Sequence, residues 1–472
     1  MLIPVLFAVI LTANIKAAAP EPVTVTMWDW FVVQSKFIDN ELRNLEKEYP
    51  HIKVKRSRIA TGSRYQEAVN LAFRSSSLPD LLAIPGEQQT VWMQNGYFHP
   101  LDKWVDRKFI TRYPKGAFVN GINMYGNKYY SFPFGGNEYW CQLYINNEVF
   151  RKAGLVDQKG HTLLPKTWAD VANDARIITE KGKGEFYGFG MFRSPDRLLP
   201  TFMFEWARVA GCNGGVQGVN LEVDYRTGKH SFHNKAVLEM FDFVLKLKKD
   251  GSIYPGYLSM EDEVMRSLFA DGKIGMIMGG QWVMQGWGGT HPNFKDYECI
   301  MIPPPDKKGY RGFCPGNAAS SWYGMSSCAK NPEEAWKVLS WFSREDVGVR
   351  WVKAGGISTF AAANKPEYAR TRQFGQYLAM AKYCMNGPNP FLRNPELANV
   401  AVKYDLPSQF DVFYGILSGQ ITDIPGALKN LEARMNKAVE EGFSDAIKKG
   451  YKVSLDDLKF PDWNPLKPYV QK

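Results

Sequence analysis

Between Val23 and Leu101 the chain alternates strand and helix three times, which restricts this part to a parallel sheet with helices packed on it. The extended runs are Val23–Met27, Ile52–Lys55 and Leu81–Ile84. Between them Phe37, Ile38, Leu42 and Leu45, then Tyr65, Ala68, Val69, Ala72 and Phe73, fall at helical spacing. Each strand runs out into a polar or aromatic tip: Trp28-Asp29-Trp30, Thr61-Gly62-Ser63 and Pro85-Gly86-Glu87-Gln88. Parallel sheets bind ligands outside the carboxyl ends of their strands, so these tips mark where function is expected.

A length of 472 residues predicts two or three domains, and 45% hydrophobic with 22% charged residues is the composition of a folded globular chain. The net charge of +10 comes from scattered Lys and Arg rather than a basic block interleaved with aromatics, so no nucleic-acid partner is expected. Leu2 to Leu11 is almost wholly apolar and Ala17-Ala18-Ala19 follows, which reads as a secretory signal over residues 1–19. No Lys or Arg precedes that run, which departs from the usual signal pattern. An apolar run this short does not span a hydrocarbon layer of roughly 30 Å as a helix, and no later run reaches that length. No Cys lies near the cleavage point to carry a lipid anchor, so an exported, periplasmic chain is expected. The six cysteines (Cys141, Cys212, Cys299, Cys314, Cys328, Cys384) include no CxxC pair. That argues against a zinc site, and it leaves free thiols and disulfides equally open. No cofactor or metal motif is present in the sequence.

Farther on, Lys128–Phe134 and Tyr139–Ile145 read as extended runs separated by Gly135-Gly136-Asn137-Glu138, a break suited to a crossing between two lobes. A helix opens at Thr167, a strand covers Phe186–Phe192, and helices follow over Leu199–Val209, Lys235–Lys248 and Glu261–Phe269. Lys273–Met278 is a strand ending in Gly279-Gly280-Gln281-Trp282. Shorter strands are predicted at Tyr297–Ile302 and Ser320–Met325, a helix at Pro332–Phe342, and a mainly helical remainder before a Pro-rich tail from Tyr451.

Several segments, taken in order, resemble one family: Trp28-Asp29-Trp30 after the first strand, Tyr49-Pro50-His51-Ile52-Lys53-Val54, Pro79-Asp80-Leu81, Asn95-Gly96-Tyr97, Leu143-Tyr144-Ile145-Asn146, Pro165-Lys166-Thr167-Trp168 and Met276–Trp282. Together they resemble the extracellular solute-binding proteins of family 1, receptors that feed carbohydrate ABC importers. The likeness runs from about Val23 to Gly442. His51 replaces the usual Gly, and Gly355-Gly356 lacks the Pro that often follows. The resemblance implies an α/β, two-lobed periplasmic-binding-protein-like fold of the class II type. Each lobe is expected to be a mainly parallel sheet flanked by helices, with a hinge between lobes. The lobes implied are 20–138 plus 286–343 and 139–285 plus 344–447, with crossings near Asn137–Tyr139, Trp282–Gly286 and Ser343–Asp346 and an extension over 448–472. It also implies a monomer that delivers a sugar to transmembrane permease subunits served by a cytoplasmic ATPase.

A pyranose has an apolar CH face and a rim of hydroxyls. An aromatic ring covers the face, gaining about 25 cal/mol per Å² removed from water. Carboxylates, amides and guanidinium groups satisfy the rim. The expected ligand contacts combine these types: Trp28, Asp29, Trp30, Glu87 and Gln88 at the first lobe's tips, and Asn137, Glu138 and Trp140 at the crossing. Arg193, Asp196 and Arg197 follow a strand of the second lobe, and Gln281 and Trp282 end another. An aromatic from the span Tyr404 to Tyr414 (Tyr404, Phe410 or Tyr414) completes the set. Trp168, Trp336 and Trp341 sit on amphipathic helices and are assigned to packing, and Asp80 to structure. The alternatives are a secreted glycoside hydrolase, for which Asp29, Glu87 and Glu138 would supply the carboxylates, and a receptor of the same fold for a non-sugar solute. No catalytic role is expected, because the resemblance spans the chain.

Overall fold

The computed structural model describes residues 21–59, 63–114, 117–136, 139, 141–193, 198–214, 223–312, 321–384 and 387–469. The expected signal over 1–19 lies outside them. The strands in chain order are β1 (Val23–Asp29), β2 (Ile52–Arg58), β3 (Leu81–Ala83), β4 (Met124–Tyr125), β5 (Lys128–Tyr129), β6 (Ser131–Pro133), β7 (Gln142–Asn146), β8 (Tyr187–Gly190), β9 (Ile274–Gly279), β10 (Tyr297–Met301) and β11 (Ser321–Met325). They form two sheets, β2-β1-β3-β11-β6 and β10-β7-β9-β8, and a small β4-β5 hairpin. Each sheet is the centre of one lobe of an α/β fold.

In the first lobe β1 pairs in parallel with β2 and β3, as the alternating pattern requires. The helix Ser35–Glu48 buries Phe37, Ile38, Leu42 and Leu45, the residues picked out by helical spacing. Asp80 accepts from the Thr26 amide (2.7 Å) and hydroxyl (2.6 Å) and ties β1 to the start of β3, a structural role. β11 runs antiparallel to both β3 and β6.

The second sheet departs from the mainly parallel expectation. Only β8 and β9 are parallel, whereas β7 runs opposite to both β9 and β10. The reason is the route of the chain. It enters this lobe at the start of β7, and Gln142 pairs with Gly279 at the end of β9. β10 ends at the same edge, where Met301 pairs with Gln142, so the strand that brings the chain in and the one that carries it out run in opposite directions. The same logic makes β11 antiparallel to β6 in the first lobe, where Ser321 faces Pro133.

The lobe boundaries also shift. β10 pairs with β7, so 286–301 belongs to the second lobe, not the first, and the chain does not leave it at Trp282–Gly286. The helix Glu345–Lys353 belongs to the first lobe, so the third crossing does not lie at Ser343–Asp346. Arg350 bonds the buried Glu41 carboxylate (2.7 and 2.8 Å), and Trp351 packs 4.9 Å from Phe37. That crossing falls between Phe360, packed on Tyr113, and the helix Arg372–Met380, packed on β10. Gly135 and Ser358 bridge at the junction, and a Cβ at Gly356 would lie 1.8 Å from the Trp351 ring, so only glycine fits there.

Cys212, Cys299 and Cys328 carry free thiols, and Cys314 lies outside the described residues. Among the described residues no helix is long and apolar enough to cross a membrane.

Candidate functional site

The carboxyl ends of β1 and β3 and the start of β11 meet at one edge of the first sheet. β1 delivers Trp30 and Phe31 there, and β11 delivers Trp322. Trp30 packs edge-on to Tyr65 at 4.9 Å, and Phe31 lies 5.2 Å from Trp322. All three rings are half-buried, so each keeps part of its surface exposed. Trp28 is also half-buried, and its carbonyl accepts from the Tyr65 hydroxyl (3.2 Å). Gln88 is half-buried and donates to Gln66 (3.1 Å).

Asp29 does not present its carboxylate at this edge. Alternation along β1 puts it on the inner face with Val25 and Met27, and it is fully buried. Its two oxygens accept from Arg56 Nε (2.6 Å) and Nη2 (2.8 Å), from the Tyr323 hydroxyl (2.8 Å) and from the Phe31 amide (3.0 Å). Arg56 also donates to the Phe31 carbonyl (2.9 Å) and to Asp39 (2.7 Å). Burial disfavours the Arg56 charge, but the Asp29 hydrogen bonds and charge outweigh it, and the net effect raises its pKa. One buried ion pair therefore grips the Phe31 backbone at both its N–H and its C=O.

In the second lobe the corresponding edge carries the ends of β8 and β9. Trp282 follows β9, is half-buried, and stacks on Phe202 at 6.5 Å and 25°. A Cβ at Gly280 would sit 1.9 Å from the Trp282 ring, so this glycine lets the ring fold back. Phe202 meets Phe192 at 5.6 Å. The next residue, Arg193, lies over the Tyr414 ring (4.9 Å) and near Phe410 (6.0 Å), and those two rings stack at 6.1 Å. Three residues named from sequence, Arg193, Phe410 and Tyr414, thus come together. Arg193 is exposed, and no carboxylate among the described residues pairs with it. Gln281 is buried rather than presented, and its side-chain oxygen has no hydrogen-bond partner among the described residues.

Tyr404 sits elsewhere. The helix of this span runs Gln409–Ser418 and starts where it is expected, with Ser408 and Asp411 forming a capping box. Tyr404 precedes it, and its hydroxyl meets His230 Nε2 at 3.2 Å. Asn137, Glu138, Trp140, Asp196, Arg197 and the Glu87 side chain lie outside the described residues. Phe31, Trp322 and Phe202 were not singled out from the sequence. Among the described residues no group of three or more His, Cys, Asp or Glu side chains is placed to hold a metal ion.

His230 is 3% exposed, and burial pushes its pKa down to about 4. The folded state keeps it neutral, whereas the unfolded chain takes up a proton below about pH 6.5. Its contribution to stability is therefore complete above pH 6.5 and lost as pH falls through about 4, a change of about 3 kcal/mol. Asp174 works in the opposite sense: burial, then the Asp170 charge, raise its pKa to about 7, so its contribution is lost as pH rises. Denaturant titrations of the protein and of His230→Gln from pH 7.5 to 4 separate the two, and the gap between the curves should close as pH falls. A constant gap would remove His230 as the titrating group.

The profile of the bacterial extracellular solute-binding protein family matches residues 32–349. A putative binding protein of Brucella abortus is 26% identical over 281 residues, covering 58% of this chain and 60% of the relative. The sn-glycerol-3-phosphate-binding periplasmic protein UgpB of the same species is 25% identical over 293 residues, covering 60% of this chain and 61% of the relative. The chain thus aligns with about three-fifths of the length of these curated relatives. Among solved structures, the GacH receptor of Streptomyces glaucescens, determined unliganded and with acarbose, superposes with a TM-score of 0.65 at 17% identity. That superposition covers 91% of this chain and 99% of GacH, and it establishes the same two-lobed fold. With two α/β lobes, aromatic side chains at a strand edge of each and a family profile matched over 32–349, the chain belongs to the bacterial extracellular solute-binding proteins.

Proposed function

We propose that this chain is an exported, periplasmic receptor of an ABC importer that binds a sugar or oligosaccharide between its lobes. It would pass the ligand, as a monomer and without catalysis, to membrane permease subunits driven by a cytoplasmic ATPase. The observation that carries this reading is the pair of aromatic walls: Trp30, Phe31 and Trp322 on one lobe, and Trp282, Phe410 and Tyr414 on the other, with the buried Phe202 supporting Trp282. Aromatic faces on both sides suit the two apolar faces of a pyranose. The acarbose complex of the structurally similar GacH receptor supports the ligand class. The hydrolase alternative weakens because Asp29, one of its three carboxylates, is committed to Arg56 and Tyr323.

A titration of intrinsic Trp fluorescence with maltotriose, xylotriose and raffinose tests the reading. Trp282→Ala is expected to weaken the sugar that binds by about 1–3 kcal/mol, roughly 5- to 150-fold, in a variant that folds normally. Unchanged affinity would take Trp282 out of the site. One observation favours a second reading, a small phosphorylated solute: Arg193 places at the second wall a cation with no carboxylate partner among the described residues, and one relative is named for sn-glycerol 3-phosphate. Glycerol 3-phosphate therefore belongs in the same titration.

A further inference from the structure

The lobes are joined by more than their crossings. After the helix Arg372–Met380 on β10, the segment 389–399 lies across the first lobe. Gln94 donates to the Ala398 carbonyl, Tyr125 to Asn399 Oδ1 (2.6 Å) and Asn120 to the Pro395 carbonyl (2.8 Å). A Cβ at Gly121 would lie 3.0 Å from the Phe391 ring, so this ring packs directly on the turn before β4. The chain then returns to the second lobe, where Tyr404 meets His230 and the Ala401 carbonyl packs against Gly442 of the last helix, Ile424–Lys448.

The tail beyond that helix covers the bridge. Arg393 donates to the Lys459 carbonyl (2.6 Å), and its guanidinium lies 3.5 Å from the Phe460 ring centre. Asn394 donates to the Lys452 carbonyl and to Asp457 Oδ2 (both 2.8 Å), and the Lys452 amide donates to Glu396. On its other side the tail is tied to the second lobe, where the Phe460 amide donates to the Tyr225 carbonyl (2.5 Å). A second apolar cluster, distinct from the main core, fills the interior. It takes Val119 from the first lobe, Phe391 and Leu397 from the bridge, Val439 and Phe443 from the last helix, and Leu458 from the tail. Leu458 and Phe460 are fully buried. All of this lies outside the region the family profile matches, 32–349, apart from the first-lobe and second-lobe surfaces it grips.

We propose that the tail 451–463 is a clasp that sets the balance between open and closed lobes before any ligand binds. It holds the bridge against the last helix, and the bridge holds the first lobe. Opening must then break the bonds to Gln94, Asn120 and Tyr125 or peel the bridge from beneath the tail. A receptor whose closed state is already populated binds more tightly, because apparent affinity scales with the fraction of molecules competent to bind. The clasp thus places the ordering cost of closure in the fold rather than in the ligand.

Small-angle scattering without ligand tests this, so the outcome does not depend on which solute the receptor takes. A variant ending at Gly450 should have a larger radius of gyration than the full chain, with its far-ultraviolet dichroism kept. Because truncation can also unfold the last helix, Gln94→Ala/Asn120→Ala/Asn399→Ala is the deciding variant: it keeps the tail and removes the side-chain bonds of the first-lobe end. It too should expand. A radius of gyration equal to that of the full chain in this triple variant, with the fold intact, overturns the proposal.

Discussion

Arg56→Met should lower the stability of the protein by about 3–5 kcal/mol, the usual cost of leaving one partner of a buried ion pair uncompensated. The pair is well enclosed, with the Arg56 side chain 8% exposed and that of Asp29 fully buried. The substitution strands the Asp29 carboxylate beside Tyr323 and Tyr65, away from water. It also removes one donor to the Phe31 carbonyl, which keeps Ser35 Oγ (2.6 Å). Denaturant unfolding measures the loss. Removing both charges, in Arg56→Met/Asp29→Leu, should recover much of it, since a buried pair replaced by apolar groups of similar volume is often near neutral. A loss below about 1 kcal/mol in the single variant would place the pair among weak surface bridges instead.

Trp206→Ala should cost a comparable amount, about 3–5 kcal/mol, through cavity formation in the second lobe. Trp206 is 1% exposed and packs 4.7 Å from Phe243 and 5.8 Å from Trp168. A cavity of about 20 Å³ already exists against it, lined by Phe192, Phe202 and Met278 among others, so the truncation enlarges a space the lobe has not closed. The helix Leu198–Val209 carries both Trp206 and Phe202, the ring on which Trp282 stacks. The variant should therefore also loosen the second wall and weaken ligand binding. Trp206→Phe, which refills most of the space, should restore both; restored stability with affinity still low would separate the wall from the core beneath it.

How far the sequence reached follows from strand direction. Parallel strands end at the ligand edge, so the tips after β1, β8 and β9 were legible, and Trp30, Trp282 and Arg193 were named from them. Trp322 was not, because β11 runs the other way and presents its beginning, a reversal no local pattern announces. Asp29 was misread although the information was present: it repeats the alternation of Val25 and Met27 and so points inward. What the alternation does not reveal is Arg56, which stands on β2 and meets Asp29 only through the β1–β2 register, where Met27 faces Arg56 and Asp29 faces Arg58. The lobe boundaries failed for a similar reason. Tyr297–Met301 was recognised as a strand, but its partner, β7, lies about 150 residues earlier and could not be inferred from spacing. The clasp was legible only as a Pro-rich tail, since the spacing of Leu458 and Phe460 does not say what they pack against.

The central claim is that the two aromatic walls close on one carbohydrate. Calorimetric titration of the oligosaccharide identified by fluorescence, run on the protein, on Trp30→Ala and on Trp282→Ala, tests it most directly. One ligand per chain, with both variants weakened, is the expected result, because the rings stand on opposite lobes and share a ligand only if it lies between them. Loss in one variant alone would confine the site to a single lobe. Binding of glycerol 3-phosphate with none of the sugars would keep the receptor but contradict its ligand.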